Sequence, residues 1–268
     1  MRRLVLLCAL AVFAAPAAAA SGPTPGAVQG GDGVWAGPLN YVAVRHGAAT
    51  DVVLSRAGST LRTARVKGNW GIPLVTLPQQ AGGVSHDGRT LVLAQASFPR
   101  TPLRAVTRFL VLDAKRLAVT RSIRLAGDFS YDALSPDGST LFLVQHTSNV
   151  DLTHYRVRAY DLRAGRLLSR VIADKRQASW VMNGYPMARA TGPGGRWEYT
   201  LYSQPDNYPF VHALDTVSKT AVCVGIPWKW TQDMSPATLT VKNGKLVIEL
   251  GLNATRYVLD TKTLRLAT

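Results

Sequence analysis

The chain holds 14 Asp and 2 Glu among 268 residues, so acid–base chemistry has few places to reside. Asp87, Asp113, Asp137, Asp161, Asp215 and Asp260 each sit in a turn between two apolar runs, where a short carboxylate accepts backbone N–H bonds. Glu198 and Glu249 fall inside alternating strand patterns. Of the rest, Asp132 and Asp233 open apolar runs in two different segments and could converge on one bond, the arrangement that glycoside hydrolysis requires. The same positions also favour Asp as a plain turn former. The five histidines, His46, His86, His146, His154 and His212, show no paired metal-ligand spacing, although His146 and His154 flank one loop. No GxSxG elbow occurs, and no Ser or Cys has an identifiable base. The sequence therefore assigns no catalytic residue, no metal ligand and no cofactor.

Recognition chemistry is better represented. Four connecting segments, GNWGIPLVTLPQQ (68–80), AGDFSYD (126–132), DKRQASWVMNGYPM (174–187) and PWKWTQDM (227–234), each carry aromatic residues. Trp and Tyr beside amides and carboxylates offer flat apolar area with oriented polar tips, which suits a sugar or a peptide. The candidate ligand-binding residues are Tyr131, Asp132, Trp180, Asn183, Tyr185, Trp230 and Asp233, joined by Asp206 and Tyr208 from the irregular stretch SQPDNYPF (203–210). Trp70, Phe129 and Trp228 belong to the same segments. One bulky residue per repeat unit is also what packing between units demands, and both readings stand at this point.

The elements that position these residues recur. YDALSPDGSTLFLVQ (131–145) matches GGVSHDGRTLVLAQ (82–95), and the pattern returns around Gly194-Gly195 and Asn243-Gly244. In each copy, apolar alternation leads to a turn ending in Gly and then to a second alternating run, which is hairpin chemistry. A second hairpin follows each, with Asp113, Asp161, Asp215 or Asp260 at its turn. Helical periodicity is nearly absent. Four short strands per unit and a period of roughly 45–55 residues predict an all-β fold, a β-propeller of five blades with mostly four antiparallel strands each. The expected organisation is a signal peptide over 1–20, a flexible segment over 21–32 and one propeller domain over 33–268. Its blades fall at roughly 30–68, 69–127, 128–179, 180–232 and 233–268. The last unit lacks an obvious outer strand, so N-terminal residues are expected to complete it.

Leu134-Ser135-Pro136-Asp137-Gly138-Ser139-Thr140-Leu141 resembles the turn repeat of secreted bacterial propellers of the YVTN type, and Val84-Ser85-His86-Asp87-Gly88-Arg89-Thr90-Leu91 departs from it by His86 in place of Pro. The later copies depart further, so close matches cover two blades. The resemblance implies a binding platform, a sensor or occasionally an enzyme.

MRRLVLLCALAVFAAPAAAAS reads as a secretory leader with cleavage near Ala20-Ser21, its apolar run too short to span a bilayer. The expected product is extracellular, without a membrane span, and retains only Cys223, so no internal disulfide can form. The formal net charge of +15 is spread along the chain, which suits anionic cell-wall polymers better than nucleic acid, for which no motif occurs. Together these features predict a monomeric, non-catalytic secreted propeller that binds a glycan, a peptide or an anionic envelope component on its loop-rich face. The alternative is a propeller enzyme acting on glycans or peptides, a hydrolase or a glutaminyl cyclase, with Asp132 and Asp233 in a central pocket.

Overall fold

A computed structural model describes residues 25–174, 182–204, 207–228, 234, 236–250 and 255–267. The chain is a β-propeller of five antiparallel sheets. Sheet 1 contains Val34–Ala36, Leu39–His46, Ala49–Arg56 and Ser59–Lys67, in that order. Sheet 2 runs Trp70–Pro73, Thr90–Gln95, Val106–Asp113 and Ala118–Ala126. Sheet 3 runs Phe129–Leu134, Thr140–His146, His154–Asp161 and Arg166–Ile172, and Met182–Asn183 also pairs with its third strand. Sheet 4 comprises Tyr185–Thr191, Trp197–Ser203, Phe210–Asp215 and Thr220–Gly225. Sheet 5 comprises Thr238–Lys242, Lys245–Leu250, Thr255–Asp260 and Arg265–Leu266.

Period-two alternation explains how these sheets pack. In the strand TLVLAQ, Leu91 and Leu93 face sheet 1, while Val92 and Ala94 face sheet 3. A strand buried on both sides must be apolar throughout, and that is what the sequence supplies. Four apolar clusters join sheets 1 and 2, 2 and 3, 3 and 4, and 4 and 5. Among the described residues no such cluster joins sheet 5 to sheet 1. Fully enclosed side chains such as Phe109, Leu91 and Tyr155 each contribute about 1.5–3 kcal/mol by leaving water. Outer strands are different: Ser59–Lys67 is exposed at nearly every position. The aspartates assigned to turns behave as expected. Asp113, Asp161, Asp215 and Asp260 each accept the N–H groups two and three residues ahead with one carboxylate oxygen, at 2.7–3.0 Å.

Ring closure departs from expectation. Sheet 5 finishes with its own Arg265–Leu266, whereas the N-terminal pair Ala27–Val28 lies against Ile72 and Pro73 of sheet 2. Gly71 is the reason this is possible: a methyl group there would come within 2.6 Å of the Val28 carbonyl oxygen. The segment 68–80 is likewise more than a connection. Trp70–Pro73 is the inner strand of sheet 2, with Trp70 in the core and its indole N–H bonded to the Lys67 carbonyl at 2.7 Å. The chain then leaves the sheet at Leu74, turns through Thr76–Gln80, and rejoins it where Gly83 O accepts from Val92 N. This excursion lies along the inner strand of sheet 4. Leu77 N donates to Pro186 O, and the Gln80 side chain makes two bonds with the Arg189 backbone.

No helix among the described residues is long and apolar enough to cross a membrane.

Candidate functional site

The Ser-x-Asp-Gly turns build one end of the molecule. Ser135 Oγ donates to Asp137 Oδ1 at 2.7 Å and accepts from Thr140 N at 2.9 Å; Ser85, Asp87 and Thr90 reproduce this at 2.6 and 3.0 Å. Asp87 N then bonds to Pro136 O, linking the two turns. Around this end opens a cavity of about 620 Å³ whose wall includes Trp35, His86, Lys115, Tyr131, Thr191 and Glu198, contributed by sheets 1 to 4. A smaller recess of about 150 Å³ shares Trp35, Tyr131, Thr191 and Glu198 and extends to Gln80, Asp132 and Arg189. Trp35 is 59% exposed and presents a bare ring to the opening.

The electrostatics of the recess follow from burial. Asp132 and Arg189 are both buried and form an ion pair, with one guanidinium nitrogen bonded to the carboxylate and another to the Asp132 carbonyl. Arg189 Nε also donates to Thr200 Oγ1 at 2.9 Å. Burial alone would lower the arginine's pKa, but the Asp132 charge outweighs it and holds the group charged. On the adjacent strand of sheet 4, Glu198 Oε2 accepts from Thr191 Oγ1 at 2.9 Å. Burial pushes its pKa up to about 7; Asp132 adds to the rise, and Arg189 and Thr191 offset only part of it. Among the described residues Glu198 has no salt bridge, so the cavity holds a carboxyl group that changes charge near neutrality. The Tyr131 hydroxyl is raised well above the usual phenol range, chiefly by burial.

The residues anticipated for binding are divided. Tyr131 and Asp132 lie mid-strand in the inner strand of sheet 3 and meet at the recess, with Asp132 engaged by Arg189. Tyr185 starts the strand that carries Arg189 and Thr191 further along, so it belongs to the opposite, loop-bearing end. Asn183 precedes it, with its side-chain oxygen buried and without a hydrogen bond to any described residue. Tyr208 is 58% exposed in the loop before Phe210. Trp180, Asp206, Trp230 and Asp233 lie outside the described residues. Phe129 and Trp228 are core residues at 1% and 6% exposure. Glu198, Arg189 and Trp35 emerge only from the structure. Sequence alternation placed Glu198 in a strand, and nothing local reported which face of that strand borders a cavity.

The histidines resolve separately. His146 Nδ1 lies 2.9 Å from Asp128 Oδ1, and Arg104 grips the same carboxylate through Nη2 at 2.6 Å and Nε at 3.0 Å. Burial would raise Asp128, but bonds from His146 and Arg104 prevail and hold it far below the ordinary carboxylate range. His154 pairs instead with Asp151 at 2.8 Å. His212 is buried, and that burial pushes it down to about 4; its Nδ1 is 3.5 Å from Cys223 Sγ. No group of three His, Cys, Asp or Glu side chains among the described residues is arranged to hold a metal ion.

No family model matches the chain, and no curated protein does. Among solved structures, the Dos1 propeller is similar at 12% identity and TM-score 0.50, over 85% of this chain and 54% of its own. The dihydro-heme d1 dehydrogenase NirN is similar at 12% identity and TM-score 0.50, over 86% of this chain and 44% of its own. BamB from Moraxella catarrhalis is similar at 15% identity and TM-score 0.46, over 84% and 62%. The chain spans about half the length of the first two. At such identities the likeness speaks for the fold alone: this chain is built as a β-propeller.

Proposed function

We propose that this chain is an exported, non-catalytic binding propeller whose ligand, a sugar unit of a glycan or a short peptide segment of the cell envelope, enters the cavity at the turn end. The observation that carries this reading is the cavity of about 620 Å³ ending on Glu198 and flanked by the exposed Trp35 ring. A space of that size encloses most of a small ligand, and an aromatic wall with one convergent polar group supplies area and orientation. His86 and Lys115 at the rim add donors.

Asn183 and Tyr208 favour a second contact surface on the loop end, because a buried amide oxygen without a partner among the described residues and an exposed phenol both gain from a ligand. Tyr185 shares that surface in this proposal, and Trp180, Asp206, Trp230 and Asp233 are assigned to it from sequence. The enzyme reading fares less well. Asp132 is already engaged by Arg189 through its carboxylate and its carbonyl, and its proposed partner Asp233 lies outside the described residues.

Glycan and peptide arrays probed with the wild type, Trp35→Ala and Glu198→Gln test the proposal. The expected outcome is binding to one ligand class, weakened at least tenfold in both variants. Retention of full affinity by both would move the site to the loop end, and release of a cleaved product would replace the binder with an enzyme.

A further inference from the structure

On the loop end, the segment between Gln95 and Val106 folds over the flank of sheet 2 and forms a pocket of about 510 Å³ lined by Phe98, Arg100, Arg104 and Arg108, with Gln95 and Ser97 beside them. Its floor is rigid. Arg104 is locked by Asp128 through two guanidinium bonds and a backbone N–H, and its remaining Nη1 reaches Ser97 Oγ at 3.3 Å. Asp128 is fully enclosed and also held by His146, so it has no charge left to offer the pocket.

Among the described residues no Asp or Glu lines this space. The side chains of Arg100 and Arg108 are exposed and make no hydrogen bond or ion pair with any described residue. Arg108 also stands directly across the ladder from Arg124, which is exposed and equally without a carboxylate. Like charges facing each other across two strands are destabilising, so a fold under no other demand would place an acid at one of these positions. Phe98, 45% exposed, closes the other side with a bare ring.

We infer that this pocket binds a phosphorylated sugar, with the Arg100 and Arg108 guanidinium forks on the phosphate and the Phe98 ring against the apolar face of the sugar. Planar guanidinium donors match phosphate oxygens two at a time, and an aromatic ring packs on a sugar without needing its hydroxyl pattern. The site is separate from the turn-end cavity and does not rest on the function proposed for it. The same chemistry is offered by a free sugar phosphate and by the repeat of an anionic phosphate polymer.

Calorimetry at moderate salt with inorganic phosphate, glucose, glucose 6-phosphate and phosphomannan distinguishes these sources. Glucose 6-phosphate or phosphomannan is expected to bind more tightly than inorganic phosphate, and glucose not at all. Tight binding of the monomer identifies a free ligand, and binding of phosphomannan alone identifies a polymer. Arg100→Gln/Arg108→Gln is expected to weaken the interaction at least tenfold, Phe98→Ala severalfold. A control, Arg62→Gln/Arg256→Gln, removes the same charge elsewhere on the surface and is expected to leave it within twofold. Equal losses in the control and in the Arg100/Arg108 variant would reduce the effect to net charge and overturn the site, as would failure of every phosphate probe to bind.

Discussion

The turns Ser85–Gly88 in sheet 2 and Ser135–Gly138 in sheet 3 share one hydrogen-bond set and one backbone geometry, down to a φ of 64° at both glycines. Everything around them differs. Gly138 is pressed against Thr90 and Ser85 of the neighbouring turn, whereas nothing lies within 4 Å of a methyl group built on Gly88. The inner strand leading to the sheet 3 turn is continuous from Phe129 to Leu134 and buried at every position. Its counterpart in sheet 2 breaks at Pro73, sends residues 74–82 across to sheet 4 and admits Ala27–Val28 on its free edge. The repeat therefore specifies the turn and the pairing of the strands after it. The inner edge, where sheets meet and cavities form, is left to vary.

Three measurements bear on that contrast. The largest effect is expected at the inner edge itself. Asp132→Ala strands Arg189 as a buried charge and should cost about 3–5 kcal/mol in urea unfolding. A cost below about 1 kcal/mol would mean that the pair is open to water. Next come the paired glycines. Gly88→Ala meets only the left-handed backbone penalty, about 1 kcal/mol. Gly138→Ala adds an overpacking term, because its methyl would sit 2.7 Å from Thr90 Cβ, and about 2–4 kcal/mol is expected. Equal losses would make the two turns environments of one kind.

The smallest effect concerns Glu198. Its folded pKa of about 7 lies above the ordinary 4.5, so the native state binds the extra proton between those values. Stability from this group is full below about pH 4.5 and is lost as pH rises through 7. His212 runs the other way: its folded pKa of about 4 lies below 6.5, so its contribution is full above 6.5 and lost as pH falls toward 4. The difference between wild type and Glu198→Gln cancels the histidine. The variant should match wild type near pH 4 and exceed it at pH 8 by about 1 kcal/mol after solvent screening, read from thermal unfolding. A difference that does not change with pH would remove Glu198 as a titrating cavity group.

Much of the architecture was legible because its signals are local. A Ser, an Asp and a Gly within four residues determine their own turn, and Asp113, Asp161, Asp215 and Asp260 cap hairpins through N–H groups two and three positions away. The inner edge was not legible because its partners are remote. Gln80 and Arg189 bond across 109 residues, and no pattern within Leu74-Val75-Thr76-Leu77 announces that a strand is about to leave its sheet. Trp70 shows the same limit from the other direction: as an aromatic beside Gly and Asn it reads as a recognition residue, yet its ring packs in the core with its N–H satisfied by Lys67. Tyr131 and Asp132 were found by position, but Arg189, which decides what Asp132 can do, sits 57 residues further on.

Arrays of repeats ordinarily behave as chains of neighbours, in which one unit can melt and leave the others standing. The excursion of residues 74–82 changes that connectivity, because its bonds to Pro186 and Arg189 join the second unit to the fourth and bypass the third. Sheets 2, 3 and 4 are thereby joined pairwise, and the strap holds sheets 2 and 4 together independently of sheet 3. The molecule is wired as a closed circuit on this side, so the loss of one blade's packing need not separate the blades on either side of it.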